Sequence, residues 1–482
     1  MVLRIARHAS ICRTPPRCLL STTPVAKQGL HPTAPKPTPS LRSIRESAEY
    51  HRQNCLDRNY PTSSTAPAQI VSLHEELTAL RHALKADREQ HHALTSLLKK
   101  RGSNTPAEEQ NEAAPKQKLL LEAKALKDKI TAVEEKEKSL ESEMRTLALS
   151  LPNHTHSSTP IGTEPKVLGY INEHLAQTDW GAKKPHTDVG AELGLLDFTS
   201  ASTVSGWGWY YLLDDAVLLE QALVNYALTL ARGRGWRLVS PPSIVYSHIA
   251  SAAGFRPRDQ HGEQQIYALE VAEGKFSHSL VGTAEIPLAG LGANRVFGED
   301  ELPLKVVGTG RAYRAEAGAR GVESKGLYRV HEFTKVELFA WAPPDPAFAE
   351  QIFNEMLVFQ TDFITSLGLY ARILEMPTTD LGASAHRKID IEVYIPSREK
   401  KDPWGEVSSL SNCTDYQSRR LNTRAKLKGG TRDFAWTLNG TAVAVPRILI
   451  ALLEYGYVEG SVRVPEVLRP FMGGQDIIVK RK

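Results

Sequence analysis

The sequence lacks several features that would place it in a common class of protein. No run of about 18 apolar residues occurs, which argues against a membrane span. A Gly-x-x-x-x-Gly-Lys phosphate loop and a Gly-x-Gly-x-x-Gly signature after a strand are also absent. The cysteines among its 482 residues are Cys12, Cys18, Cys55 and Cys413. Their spacing fits neither a metal site nor a disulfide framework, so we expect a reducing compartment and no structural zinc.

Acidic residues are missing from the first 45 positions. This segment holds many Ser and Thr and the basic residues Arg4, Arg7, Arg13, Arg17, Lys27 and Lys36. Such a composition is typical of an organelle transit peptide, although a disordered basic tail that binds nucleic acid is the alternative. We assign residues 1–40 to a transit peptide followed by a disordered linker.

The rest of the composition is that of an ordinary soluble protein, with 41% hydrophobic and 24% charged residues. The length suggests two or three domains. A net charge of +4 permits a polyanionic partner without requiring one.

Two heptad stripes predict a long helical hairpin. Apolar residues step by three and four over 70–98 and again over 119–151, and a polar segment with two prolines, 101–116, lies between them. The helices should fold back on each other as an antiparallel arm about 45 Å long. Candidate contacts to a phosphate backbone are Arg81, Lys85, Lys99, Lys100 and Arg101. The alternative is a solvated charged face on a dimerising coiled coil.

Pro152 breaks the second helix and starts a Ser/Thr/Pro-rich stretch. We therefore assign residues 41–152 to the helical arm domain, 153–185 to a linker and 186–482 to a second domain.

The stretch from Arg311 to Glu337 predicts two strands, at 312–316 and 328–337, joined by a glycine-rich loop. The alternating positions that would share one surface are Arg314, Glu316, Arg329, His331, Phe333 and Glu337. Guanidinium groups bind phosphate and an aromatic ring stacks on a base, so this surface suits a nucleotide. An exposed hairpin with charges paired across its strands is the alternative.

Three further groups of residues are candidates for chemistry. Thr283 and Glu285 follow an apolar run and suit a small polar ligand, or else cap a helix. Glu406 and Ser409 offer oxygens to Mg²⁺, or else belong to an ordinary loop. Arg447 is the single charge within the apolar segment 442–453, so it needs either a phosphate or a buried carboxylate nearby.

Seven segments, in order along the chain, resemble the seryl-tRNA synthetases of the bacterial and organellar type, which are class II aminoacyl-tRNA synthetases. They are LPNHTH at Leu151, HTDVGAELGLLDF at His186, TAEIPL at Thr283, YRAEAG at Tyr313, GLYRVHEFTKVE at Gly326, EVSSLSNCTDYQSRRLNTR at Glu406 and TLNGTAVAVPR at Thr437. The resemblance extends from about Leu41 to the C-terminus. Departures from the family pattern fall at Arg387, Ala442 and Pro446 and in the loop 319–325.

This resemblance implies an α+β fold, with a class II antiparallel sheet flanked by helices and an N-terminal antiparallel two-helix coiled-coil arm that binds tRNA. It implies a homodimer in the mitochondrial matrix that activates serine with ATP, aided by Mg²⁺, and transfers it to the 3′ end of tRNA(Ser). A catalytically silent paralogue that serves as a tRNA-binding or structural module is the alternative.

Residue roles are also carried over by the resemblance. The catalytic residues would be Arg314, Glu316 and Arg447. The ATP-binding residues would be Arg314, Glu316, Arg329, Val330, Phe333, Glu406, Val407, Ser408, Ser409 and Arg447. Glu406 and Ser409 would bind Mg²⁺. The serine-binding residues would be Thr283, Glu285, Arg314, Glu337, Asn439 and Thr441.

Overall fold

The computed structural model describes residues 33–101, 109–178, 183–255, 265–270, 275–315, 326–399 and 402–481. Most of the predicted transit peptide and the side chain of Glu316 lie outside these residues. Within the described part of the chain, no helix is both long and apolar enough to cross a membrane. The helices are α1 (Leu41–Glu46), α2 (Ala48–Asp57), α3 (Ala66–Arg101), α4 (Glu109–Ser150), α5 (His186–Leu193), α6 (Phe198–Ser205), α7 (Asp215–Gly233), α8 (Ser247–Ala252), α9 (Glu285–Leu291), α10 (Pro346–Ser366), α11 (Tyr416–Leu421) and α12 (Val445–Gly456).

Helices α3 and α4 form the predicted hairpin. Their heptad positions are buried against each other, as Ile70, Leu77, Leu140 and Met144 show. With 36 and 42 residues, the helices are about 54 and 63 Å long, since an α-helix rises 1.5 Å per residue. The predicted loop 101–116 is too long, because α4 already begins at Glu109 and its first turns are rich in the helix-favouring residues Glu, Gln and Ala.

An eight-stranded sheet forms the centre of the second domain. Its strands are β1 (Lys166–Ile171), β2 (Arg237–Val239), β3 (Leu304–Tyr313), β4 (Glu332–Ala342), β5 (Ala371–Glu375), β6 (Arg387–Tyr394), β7 (Trp404–Thr414) and β8 (Trp436–Ala444). The spatial order is β1-β5-β6-β7-β8-β4-β3-β2, and every pair is antiparallel except β2 with β3. Smaller sheets contain the strands Leu196–Asp197, Tyr211–Leu212, Ile244–Tyr246, Ala268–Leu269, His278–Leu280, Val296–Phe297, Arg424–Lys426, Arg432–Phe434, Tyr457–Val458, Ser461–Arg463 and Ile477–Val479.

Three sequence-based boundaries need correction. The segment predicted as linker, 153–185, contains β1, because its Val, Tyr and Ile residues favour a strand where β5 offers an edge. The strand predicted at 312–316 instead ends at Tyr313, and its partner β4 begins at Glu332 rather than at Tyr328.

Pro446 lies in the first turn of α12, where its missing N–H costs no helical hydrogen bond.

The two faces of the sheet differ in chemistry. On β4, Val336 and Leu338 are fully buried in the main apolar core, which also contains residues of α7, α10 and α12. Because side chains alternate along a strand, Lys335 and Glu337 point to the opposite face. This second face carries the polar residues described next.

Candidate active site

A cavity of about 410 Å³ opens on the polar face of the sheet. Strand β4 contributes Phe333, Lys335 and Glu337, which are two residues apart and so share one side of the strand. Arg314 follows the end of β3, and its guanidinium carbon lies 5.3 Å from the centre of the Phe333 ring. A cation and an aromatic ring are therefore held together at the entrance to the cavity.

Two β-bulges bring further side chains into the cavity. In β7 the pairing to β6 shifts between Ile391 and Glu392, so Glu406 and Ser409 line one cavity despite their odd separation. In β8 the pairing to β4 shifts beside Thr441, and both Thr441 and Ala444 line the same cavity.

A residue on the other side of the sheet forms hydrogen bonds to both bulged strands. Gln360 of α10 is buried, and its amide nitrogen donates to the carbonyl oxygens of Ser409 and Thr441, both at 3.0 Å. The Ser408 hydroxyl also donates to the Thr441 carbonyl, at 2.6 Å. These bonds fix the strand positions from which the cavity side chains project.

Glu406 is the anion at the cationic end of the cavity. Its carboxylate lies 3.3 Å from Arg447, which also donates to the Glu406 carbonyl oxygen at 2.8 Å. Burial raises the pKa of Glu406, but Arg447, Lys388 and Arg314 together lower it to about 2. Glu406 is therefore ionised at neutral pH.

A second cavity of about 230 Å³ adjoins the first and shares four of its residues, Arg314, Phe333, Glu406 and Arg447. It is also lined by Tyr328, Arg329 and Val330. Within the described part of the chain, Arg329 makes no hydrogen bond or ion pair, so its guanidinium is available to an anion.

The segment that carries Arg329 is held by a buried histidine. The Leu327 amide donates to His186 Nε2 at 3.2 Å, and Glu454 accepts from the His186 amide at 3.1 Å. Gly326 has φ of +71°, and a Cβ there would lie 2.1 Å from His186 Nε2. Only glycine fits this approach.

Carboxylates gather at the other end of the larger cavity. Glu337 accepts from Lys335 at 2.5 Å and from the Thr283 hydroxyl at 3.2 Å. Glu285, in the first turn of α9, accepts from Gln417 at 2.7 Å. Burial, followed by the neighbouring Glu337, raises the pKa of Glu285 to about 8, because a second negative charge in this enclosed place is costly.

The cavity also contains residues that the sequence analysis did not select. Lys335 occupies the alternate position between Phe333 and Glu337, so the strand period that selected its neighbours indicates it as well. Lys388 and the buried Asp390 form an ion pair of 2.7 Å behind Glu406. Burial raises the pKa of Asp390 to about 6, and Glu406 adds to the effect while Lys388 opposes it.

The predicted site residues lie in different parts of the structure. Those that line one of the two cavities are Thr283, Glu285, Arg314, Arg329, Val330, Phe333, Glu337, Glu406, Val407, Ser409, Asn439, Thr441 and Arg447. Ser408 instead points away to the Thr441 carbonyl, and Glu316 lies outside the described residues.

A magnesium ion fits the oxygen donors at Glu406 and Ser409. In the described ranges, no cluster of three or more His, Cys, Asp or Glu side chains is placed to bind a metal ion. Mg²⁺ does not need one, because it keeps several waters and takes oxygens from substrate phosphates. An ionised carboxylate and a hydroxyl that line one cavity are enough protein ligands for such an ion.

The basic residues predicted for the arm fall into three groups. Arg81 is bound within the arm, to Glu137 at 3.2 Å and Glu141 at 2.5 Å. Lys85 and Lys99 are exposed and form no ion pair with any described residue. Lys100 and Arg101 belong to the last turn of α3, but their side chains lie outside the described part of the structure.

Comparison with known proteins agrees with this architecture. Residues 40–155 match the seryl-tRNA synthetase N-terminal domain, and residues 267–455 match the tRNA synthetase class II core domain (G, H, P, S and T). The mitochondrial serine–tRNA ligase of Schizosaccharomyces pombe is 40% identical over 90% of this chain and 88% of its own length. That of Saccharomyces cerevisiae is 45% identical over 74% of this chain and 78% of its own.

The chain belongs to the seryl-tRNA synthetase family. A seryl-tRNA synthetase from Pyrococcus horikoshii, solved in complex with ATP, matches 92% of this chain and all of its own, with a TM-score of 0.80 and 28% identity. The cytoplasmic serine–tRNA ligase of Naegleria fowleri, solved with AMP, matches 93% of this chain and all of its own, with a TM-score of 0.78 and 25% identity. The predicted class II fold with its helical arm is thereby confirmed.

The raised pKa of Glu285 predicts a pH-dependent effect of Glu285→Gln. Between about pH 4.5 and 8 the unfolded carboxyl ionises while the folded one stays protonated, so the wild-type protein loses stability as pH rises. Glutamine does not titrate. The difference in free energy of unfolding, variant minus wild type, should therefore increase with pH by up to about 1.4 kcal/mol per pH unit. Above about pH 8 this difference should become constant. Urea unfolding from pH 5 to 9 measures this, and a constant difference would contradict it.

Proposed function

We propose that this chain is an active serine–tRNA ligase, which forms seryl-adenylate from serine and ATP and then transfers the seryl group to the 3′ end of tRNA(Ser). The observation that carries the proposal is one cavity that has a cationic end at Arg314 and Arg447 and holds the carboxyl groups of Glu285 and Glu337 at its other end. Such a cavity accepts a triphosphate and a zwitterionic amino acid side by side.

The cationic end suits ATP. The resemblance assigns Arg314 to the α-phosphate and Phe333 to adenine, and the guanidinium carbon lies 5.3 Å from the centre of the ring. Arg329 and Arg447 face the second cavity, where the remaining phosphates have room. On binding, the phosphates would replace part of the contact between Arg447 and Glu406.

The end that holds the carboxyl groups suits serine. Glu285 and Glu337 match its ammonium group, and Thr283, Asn439 and Thr441 offer hydrogen-bonding groups for its hydroxyl. Bringing an ammonium next to Glu285 favours the ionised carboxylate, because an opposite charge lowers a raised pKa.

The chemistry needs orientation and charge neutralisation more than a protein nucleophile. An oxygen of the serine carboxylate attacks the α-phosphorus in line, and pyrophosphate leaves. Arg314 neutralises the charge that develops on the phosphate oxygens. A hydroxyl of the terminal tRNA ribose then attacks the seryl carbonyl carbon, and AMP leaves. Magnesium held by Glu406 and Ser409 would supply further neutralisation of the phosphates.

The arm of residues 41–152 is the tRNA-binding domain in this proposal, with the exposed Lys85 and Lys99 facing the phosphate backbone, and the chain works as a homodimer. Mitochondrial location is proposed on two grounds. The relatives from S. cerevisiae, S. pombe and mouse are named as mitochondrial, and residues 1–45 are basic without any acid.

ATP–pyrophosphate exchange with serine, threonine, alanine and glycine tests the proposed function directly. Serine should support exchange most strongly. Alanine should be disfavoured by roughly 10⁴-fold, because a site that binds a hydroxyl is left with unpaired polar groups. Threonine should be excluded by the size of the pocket. Exchange with none of the four would favour the silent paralogue.

Arg314→Ala should lower serine-dependent exchange by on the order of 10³-fold, since it removes a donor that acts in the transition state. Arg311→Ala is the matched control: Arg311 lies three residues away on β3 and pairs with Glu332 at 3.3 Å. Circular dichroism should show both variants folded. Full activity of Arg314→Ala would refute the assignment to the α-phosphate.

Reversing two arm charges should separate tRNA binding from adenylate formation. Lys85→Glu with Lys99→Glu should raise the KM for tRNA in aminoacylation by about tenfold or more at low salt, because two phosphate contacts become repulsive. Pyrophosphate exchange should not change. Lys428→Glu, which alters an exposed lysine outside the arm, serves as control. An equal loss of both activities would contradict this division of labour.

A further inference from the structure

The arm domain meets the catalytic domain through a buried arginine. Arg58 follows the last residue of α2 and is completely buried. Its guanidinium donates to the carbonyl oxygens of Asn153 at 2.6 Å, Gly382 at 2.5 Å and Ala385 at 2.8 Å. One side chain of the arm domain therefore reaches two carbonyls in a single loop between β5 and β6.

Asn153 binds the same loop at the end of the arm. Its amide nitrogen donates to the carbonyl oxygens of Ser384 and Cys413, both at 2.8 Å. Its backbone N–H donates to the Ala383 carbonyl at 2.9 Å. Together, Arg58 and Asn153 satisfy four consecutive carbonyl groups, from Gly382 to Ala385.

The other side of this loop forms a wall of the catalytic cavity, lined by Asp380, Gly382, Ser384 and Ala385. Asn153, which binds the loop, also donates to Cys413, and the Cys413 sulfur lies 3.6 Å from the amide nitrogen of Asn439, at the end of the cavity proposed for serine. A Cβ on Gly254, which precedes the cavity residue Phe255, would lie 3.0 Å from the Ser384 side chain. A displacement of the loop would therefore change the shape of the cavity at this end.

We infer that Arg58 is a positioning residue for the reaction: it fixes the loop 380–386 from the arm side and so ties the shape of the serine end of the cavity to the placement of the arm. This inference rests on the proposed function. The physical reason is that the carbonyls of Gly382 and Ala385 each lose a buried donor when the guanidinium is removed. Arginine suits the task because its planar fork supplies several donors in fixed directions.

Arg58→Met in the full-length chain tests the inference, with Asn153→Asp as a second, nearly isosteric variant that removes the amide donor. The control is Arg52→Met in α2, because Arg52 pairs with Glu49 on the exposed surface. Hydrogen–deuterium exchange is measured for the amides of 380–386 and of α12. Pyrophosphate exchange gives kcat and the KM values for serine and ATP. Arg58→Lys, which keeps the charge but loses the fork, is measured alongside.

Arg58→Met and Asn153→Asp should each raise amide exchange in 380–386 by about tenfold or more, while α12 stays protected. The serine KM should rise about tenfold or more, because the loop forms a wall of the cavity at the serine end, and the ATP KM should rise less than about twofold. A small misplacement of one substrate is enough for a large effect. Arg58→Lys should recover part of the loss, and Arg52→Met should match wild type.

Unchanged protection of 380–386 in the folded variants would overturn the inference, and so would equal rises of both KM values. If Arg58→Met does not fold, Asn153→Asp decides the outcome by the same criteria. The proposed function fails separately: wild type would then show no serine-dependent exchange, while the amide exchange of the loop would still report on the role of Arg58.

Discussion

The ion pair between Glu406 and Arg447 is the contact on which the rest of the site depends. Glu406 faces three cations, Arg447, Lys388 and Arg314, and together they hold its pKa at about 2 despite burial. Without this carboxylate, the three positive charges would be less well neutralised, although Lys388 also pairs with Asp390. The proposed triphosphate would meet the arginines already in place, so little reorganisation would remain for the reaction itself.

Keeping those charges in place requires an unusually shaped sheet. Regular alternation would turn Glu406 and Ser409 to opposite faces, and the bulge in β7 brings them to one cavity. Gln360, from the apolar side, bonds both bulged strands through a single amide. A buried polar residue among the Phe side chains of α10 thus contributes to the geometry of the opposite face.

The sequence predicted the elements better than their junctions. Period was sufficient for the arm, and the family motifs led to site residues most of which line the cavities, because both signals depend on local spacing. The bulges, the ion pair of Lys388 with Asp390 and the contact of Gln417 with Glu285 depend on strand register and on residues distant in the chain, which one sequence does not display. Strand β1 was missed for the same reason, since its short segment pairs with β5, which lies about 200 residues later in the chain.

The two ends of the cavity differ in charge, and this asymmetry bears on the proposed reaction. Lys335 pairs with Glu337, and Glu285, whose pKa is raised to about 8, is a carboxyl whose ionisation an incoming ammonium group would favour. In the proposed binding mode, a zwitterion whose ammonium binds there directs its carboxylate toward Arg314. That orientation points the attacking oxygen at the site proposed for the α-phosphate. The same difference in charge between the two ends of the cavity would therefore both select the amino acid and align it for attack.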